Sequence, residues 1–140
     1  MRHAQYMTWP RALAISESVW SPKQNKNWNH FFNKVEDHFA RMDMAEIKYA
    51  PSVYEPIFTV TKTADKQLKI ELGKEAEGLT MYYSFDNSFP DRFYPKYTAP
   101  LVPPKEAVMI KVITYKGKQV VGRIIAMPLS ELNARSEKAK

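Results

Sequence analysis

The sequence predicts an α+β fold: an N-terminal helical hairpin followed by a small antiparallel β-sandwich of the immunoglobulin or fibronectin type. Three observations carry this. Apolar residues recur at helical spacing up to about residue 50 and at a period of two from residue 57. The intervening stretch, SVYEP with Ala50-Pro51 before it, holds two prolines and reads as a connection. Beyond it, short runs rich in Val, Ile, Thr, Tyr and Phe alternate with turn residues, the pattern of a sandwich. The expected organisation is helices over residues 1–50, a linker at 51–56, a sandwich at 57–128 and a tail at 129–140.

The first helix is expected in TWPRALAISESVWSP, residues 8–22, with Trp9, Leu13, Ala14 and Val19 on one apolar face. Pro10 sits near its start, where a missing N–H costs little, and Ser21-Pro22 stops it. In the second helix, Trp28, Phe31, Phe32, Val35, Phe39 and Met42 follow spacings of three and four, behind an Asn27 N-cap. Lys34, Glu36, Asp37 and Arg41 fall on its polar side. The apolar face of the first helix needs cover. It is expected to pack on the 28–42 helix, with any surplus covered by a second copy of the chain.

Strands are expected in IFTVTK, LKIEL, LTMYYSF, AVMIKVITY and QVVGRIIAM. Alternation makes Leu68, Ile70 and Leu72 the inward set of the second, and Val108, Ile110 and Val112 that of the fourth. Lys116-Gly117 and Asp86-Asn87 mark tight turns needing left-handed backbone. The tail SELNARSEKAK is expected to form at most one helical turn, capped by Ser130, and otherwise to fray.

Composition removes several function classes. The 140 residues include no cysteine, so disulfides, thiol catalysis and cysteine-based zinc sites are excluded. His3, His30 and His38 share no i, i+3 or i, i+4 spacing, and no metal site is expected. The +6 net charge is spread along the chain among acids, with no nucleic-acid-binding motif, so a solvated basic surface is expected and nucleic-acid binding is not. No apolar run reaches the length of a membrane span, and no leader pattern follows Met1-Arg2-His3.

Two groups of residues carry a resemblance. Pro10-Arg11, the Ala-Leu helix 12–19, Trp20-Ser21-Pro22 and Asn27-Trp28 stand in the order seen in the last barrel helices of family-twenty glycoside hydrolases, the β-N-acetylhexosaminidases. The segment Tyr82 to Pro90, followed by Tyr97 and Pro100, is similar to the β-sandwich that follows that barrel in bacterial members, with Asn87 in place of a turn glycine. The resemblance implies a C-terminal piece of a (β/α)8 exo-glycosidase that releases terminal GlcNAc or GalNAc with retention, the substrate's acetamido group acting as nucleophile. It implies an adjacent Asp-Glu pair on barrel strands. The chain contains no Asp-Glu dipeptide; Glu36-Asp37 is reversed and lies on a polar helix face.

No catalytic residue is therefore expected here, and no cofactor. Glu17 is read as a hydrogen-bonded helix residue. Phe89, Phe93, Tyr94 and Tyr97, in a proline-punctuated loop, are the candidate contacts, either to glycan or to the barrel domain. Phe58 and Val60 are further expected contacts of a sandwich that braces the barrel; the competing role is a carbohydrate-binding or adhesion module. By resemblance, the parent protein is expected in the periplasm or at the cell surface.

Overall fold

The computed structural model describes residues 2–63 and 65–138, with the side chains of Arg2 and Lys138 left out. It has helices first and antiparallel strands after, an α+β chain. The chain divides into two compact units, Met1–Ala50 and Pro51–Lys140.

The first unit contains α1 (Arg2–Thr8), α2 (Arg11–Trp20) and α3 (Trp28–Met44). Helix α2 ends at Ser21 as its sequence demands, but it starts at Arg11, and Trp9 lies in the break before it. The reason is Pro10. Its ring cannot continue the helix that precedes it, so α1 stops and a new helix begins, with the Leu13 and Ala14 N–H groups donating to the Pro10 carbonyl. The Asn27 side chain caps α3 by accepting the His30 N–H at 3.0 Å. Phe32, Val35, Phe39 and Met42 form its buried face. Phe39 stacks on Tyr49 with ring centroids 4.1 Å apart. The end of the unit is tied back by Ala50 N–H to the Trp9 carbonyl, 2.9 Å.

In α2, by contrast, no residue is buried. Leu13 is half-buried, whereas Ile15, Val19 and Trp20 are 65%, 73% and 87% exposed. The expected apolar face is therefore only partly satisfied by the rest of the unit.

The second unit is the sandwich. Residues 51–56 carry a short 3-10 turn in which Val53 and Tyr54 are buried. One sheet pairs β1 (Ile57–Lys62) with β2 (Leu68–Gly73), in a register that sets Val60 opposite Ile70. The other has β3 (Leu79–Ser84), β4 (Met109–Lys116), β5 (Gln119–Val120) and β6 (Ile125–Pro128), with β4 paired to all three others. Gly117, at a φ of 61°, makes the two-residue turn from β4 to β5. The expected last strand is interrupted. Between Val120 and Ile125 four residues stand opposite two of β4, and at Gly122 a side chain would come within 3.3 Å of the Tyr54 carbonyl.

One core joins both sheets and a final helix: Val60, Leu68, Ile70, Leu72, Met81, Ile110, Val112, Leu129 and Leu132. Three expectations are corrected here. Val108 precedes β4 and is 74% exposed, so the inward set is Ile110, Val112 and Thr114. Val60 cannot serve as an outer contact, because it faces Ile70 inside the core. The tail forms α4 (Leu129–Lys138), a ten-residue helix rather than one turn at Ser130. Leu129, Leu132 and Ser136 fall on one helical face, and burial of that face holds it; residues 139 and 140 lie outside the described residues.

Candidate functional site

The loop from β3 to residue 97 is fixed at closely spaced points. Asp86 closes a local turn: its Oδ1 accepts the Ser88 N–H at 3.1 Å and also the Ser88 hydroxyl. Asn87 takes a left-handed φ of 64°, the conformation expected of the residue that stands for glycine. The Ser84 hydroxyl donates to the Ser88 carbonyl at 2.8 Å. Asp91 repeats the device, its Oδ1 accepting the Phe93 N–H at 2.8 Å. Further along, Tyr83 N–H donates to the Pro95 carbonyl and Tyr97 N–H to the Met81 carbonyl, so the segment runs as an irregular edge beside β3.

This frame separates the four aromatic candidates. Phe89 and Phe93 are 71% and 82% exposed. Tyr94 is half-buried. Tyr97 packs against the core, and its hydroxyl accepts the Leu72 N–H at 3.0 Å, so it joins the two sheets. The exposed rings each hold a cation: the Lys111 ammonium lies 4.1 Å from the Phe89 centroid and the Arg92 guanidinium 5.1 Å from that of Phe93.

Lys111 is the residue that sequence reasoning missed. It is buried in mid-strand and its Nζ donates to the Asn87 carbonyl at 2.6 Å. The available signal was a lysine inside the apolar run MIKVIT; strand alternation assigned it to solvent, and a loop folded over it instead.

The Ser88 hydroxyl and then the Ser88 N–H hold the Asp86 carboxyl below its ordinary value, with a smaller contribution from the Lys111 charge. A depressed folded-state pKa stabilises the fold above the unfolded pKa, and that contribution is lost as pH falls through the folded value. Urea unfolding of wild type and Asp86→Asn is therefore expected to differ most at neutral pH, with the gap closing below about pH 4.

In the first unit, Glu17 pairs with Lys34 at 3.5 Å across the space between α2 and α3. It lines two adjacent cavities there, one reaching Trp28 and the other Trp20. Trp28, placed at the head of α3, is half-exposed and lies against Phe31 and Phe32. Among the described residues no three His, Asp or Glu side chains come together in a way that could hold a metal ion, and no helix is long and apolar enough to cross a membrane.

No family model matches the chain. A beta-hexosaminidase of Akkermansia muciniphila is 42% identical over 38 residues, an alignment covering 27% of this chain and 8% of that protein. The match links part of the chain to a glycoside hydrolase, and the chain spans a small share of that relative's length.

Proposed function

We propose that this chain forms the last helices of a catalytic barrel and the following β-sandwich of an exo-β-N-acetylhexosaminidase. In this reading hydrolysis of terminal N-acetylhexosamines proceeds with retention and substrate assistance, through an Asp-Glu pair carried elsewhere in the protein. The supporting observation is the 42% identity over 38 residues to a protein of that name. Helix α2 adds to it: an apolar helix that buries none of its own residues needs a further layer, which a barrel supplies.

The sandwich acts in this reading as a brace, with Phe89 and Phe93 on a loop already ordered for contact. Preordered loops lose little entropy on docking. The competing role is a carbohydrate-binding module: heat release with chito-oligosaccharide that Tyr94→Ala abolishes would favour it, and silence up to millimolar sugar would favour the brace. Export to the periplasm or cell surface belongs to the same proposal.

Two measurements test it. The chain alone is expected to give no saturable turnover of an aryl N-acetylglucosaminide, and turnover would overturn the non-catalytic assignment. Coding sequence upstream, over roughly 200 residues for a barrel, is expected to contain an adjacent Asp-Glu pair; an upstream region without a barrel pattern would overturn the hexosaminidase reading.

A further inference from the structure

We propose that a cavity of the sandwich unit, between the β1–β2 turn, residues 102–107 and the start of α4, binds a small amphipathic carboxylate: an apolar ring or short chain with one anionic head. The proposal stands on that cavity and not on the hexosaminidase reading. Its volume is about 370 Å³, in the range of small-molecule sites. Leu68 and Leu129, each 8% exposed, reach it from the core and give it an apolar floor. Lys66, Gln67, Lys105 and Asn133 also line it, and all four are exposed. Among the described residues no acid lines it. The walls are held by the fold. On one side Lys66, at a φ of 59°, donates its N–H to the Thr63 carbonyl at 2.9 Å, and the Thr63 N–H donates to the Gln67 carbonyl at 2.9 Å. On the other, Leu101 and Ile70 exchange backbone hydrogen bonds at 2.8 Å, and the Ala107 N–H closes a turn on the Pro104 carbonyl at 3.1 Å. The Leu129 N–H fixes the start of α4 on the Val108 carbonyl at 2.9 Å. A site ordered in this way costs little to organise on binding.

That lining selects among ligands. Two ammonium groups with no acid between them repel a cation. A neutral apolar molecule would cover Leu68 and Leu129 but strip water from the lysines without offering them a partner. A bare inorganic anion would meet the lysines and leave the apolar floor wet. An amphipathic carboxylate avoids all three penalties. Its body covers the leucines, and its oxygens accept from lysine ammonium and from the side-chain amide N–H groups of Gln67 and Asn133.

The test titrates the whole chain with 4-phenylbutyrate, its neutral analogue 4-phenylbutanamide and inorganic phosphate, followed by amide NMR shifts. Phenylbutyrate is expected to bind saturably in the millimolar range and to shift the Gln67 and Asn133 side-chain amides together with the Ala107 N–H. The neutral analogue and phosphate are each expected to bind several-fold more weakly. Lys105→Glu is expected to weaken phenylbutyrate about tenfold or more. Lys118→Glu makes the same change of charge at the exposed β4–β5 turn and is expected to leave binding unaltered. Both lysines are exposed, so both variants keep the fold, which unchanged melting verifies. Absence of saturable phenylbutyrate binding would overturn the proposal. So would equal binding of the butanamide or of phosphate, since the head or the floor would then contribute nothing. Equal weakening by the two variants, or shifts centred on other residues, would overturn it as well, because the anion would then be following net charge or another surface.

Discussion

Leu132→Ala is expected to destabilise the sandwich unit by about 3 kcal/mol, within the range of roughly 2–5 kcal/mol found for such truncations. Leu132 is fully buried, in one cluster with Val60, Leu72, Ile110 and Leu129. Its removal takes away side-chain transfer energy and leaves a cavity where α4 meets the strands. The small unit has little stability to spare, so a loss of this size is a large share of the total. Chemical unfolding followed at the Tyr82–Tyr115 contact, ring centroids 5.4 Å apart, reports on this unit. Ile15→Ala in the same protein is the matched control. Ile15 is 65% exposed, and its loss is expected to change stability by no more than about 0.5 kcal/mol. A Leu132→Ala effect as small as that control would show that α4 is an accessory to the sandwich and not part of its core.

Helix α4 also marks where the sequence stopped being legible. The strands declare themselves because alternation repeats in each: Leu68, Ile70 and Leu72 are inward, and the Lys69 and Glu71 side chains between them meet outside the core at 2.9 Å. Helix α3 does so through a full apolar face with a capping asparagine. The tail offers only Leu129 and Leu132 to the core among charged and small residues, too few for a period to show. Tertiary burial fixes that helix, and burial is not written locally. The break at Pro10 was legible in principle; the proline was read as a first-turn residue, and the preceding α1 went unrecognised.

The functional candidates divide along the same line. Loop chemistry was legible: Asp86-Asn87 declared a turn, and the turn is there with Asn87 in the left-handed region. Which aromatics in the loop face water was not legible, because it depends on what the loop covers. Tyr97 turned inward to bond Leu72, while Phe89 and Phe93 stayed outside. The cavities beside Glu17 were equally hidden, since residues far apart in the sequence line them and no motif in either helix marks them.

Lys111 shows the energetic side of that coupling, and its replacement is the second large effect expected. Lys111→Met keeps the aliphatic stem but removes the ammonium. The Asn87 carbonyl loses its 2.6 Å donor and the Phe89 ring its cation. A lost hydrogen bond from a charged group predicts destabilisation of about 1.5–3 kcal/mol, partly offset because a buried charge is also removed. Lys111→Glu is the sharper test. It places a carboxylate in the same buried position, facing a carbonyl oxygen and an aromatic face in the neighbourhood of Asp86. About 3–5 kcal/mol is expected, the cost of an uncompensated buried charge. Two readings of Lys111 then separate. If it anchors the loop, Lys111→Met also speeds hydrogen exchange at the Ser88 N–H, which donates to Asp86 inside the anchored turn. If Lys111→Met instead matches wild type in both stability and Ser88 exchange, the local turns at Asp86 and Asp91 hold the loop by themselves, and the lysine is buried without anchoring it.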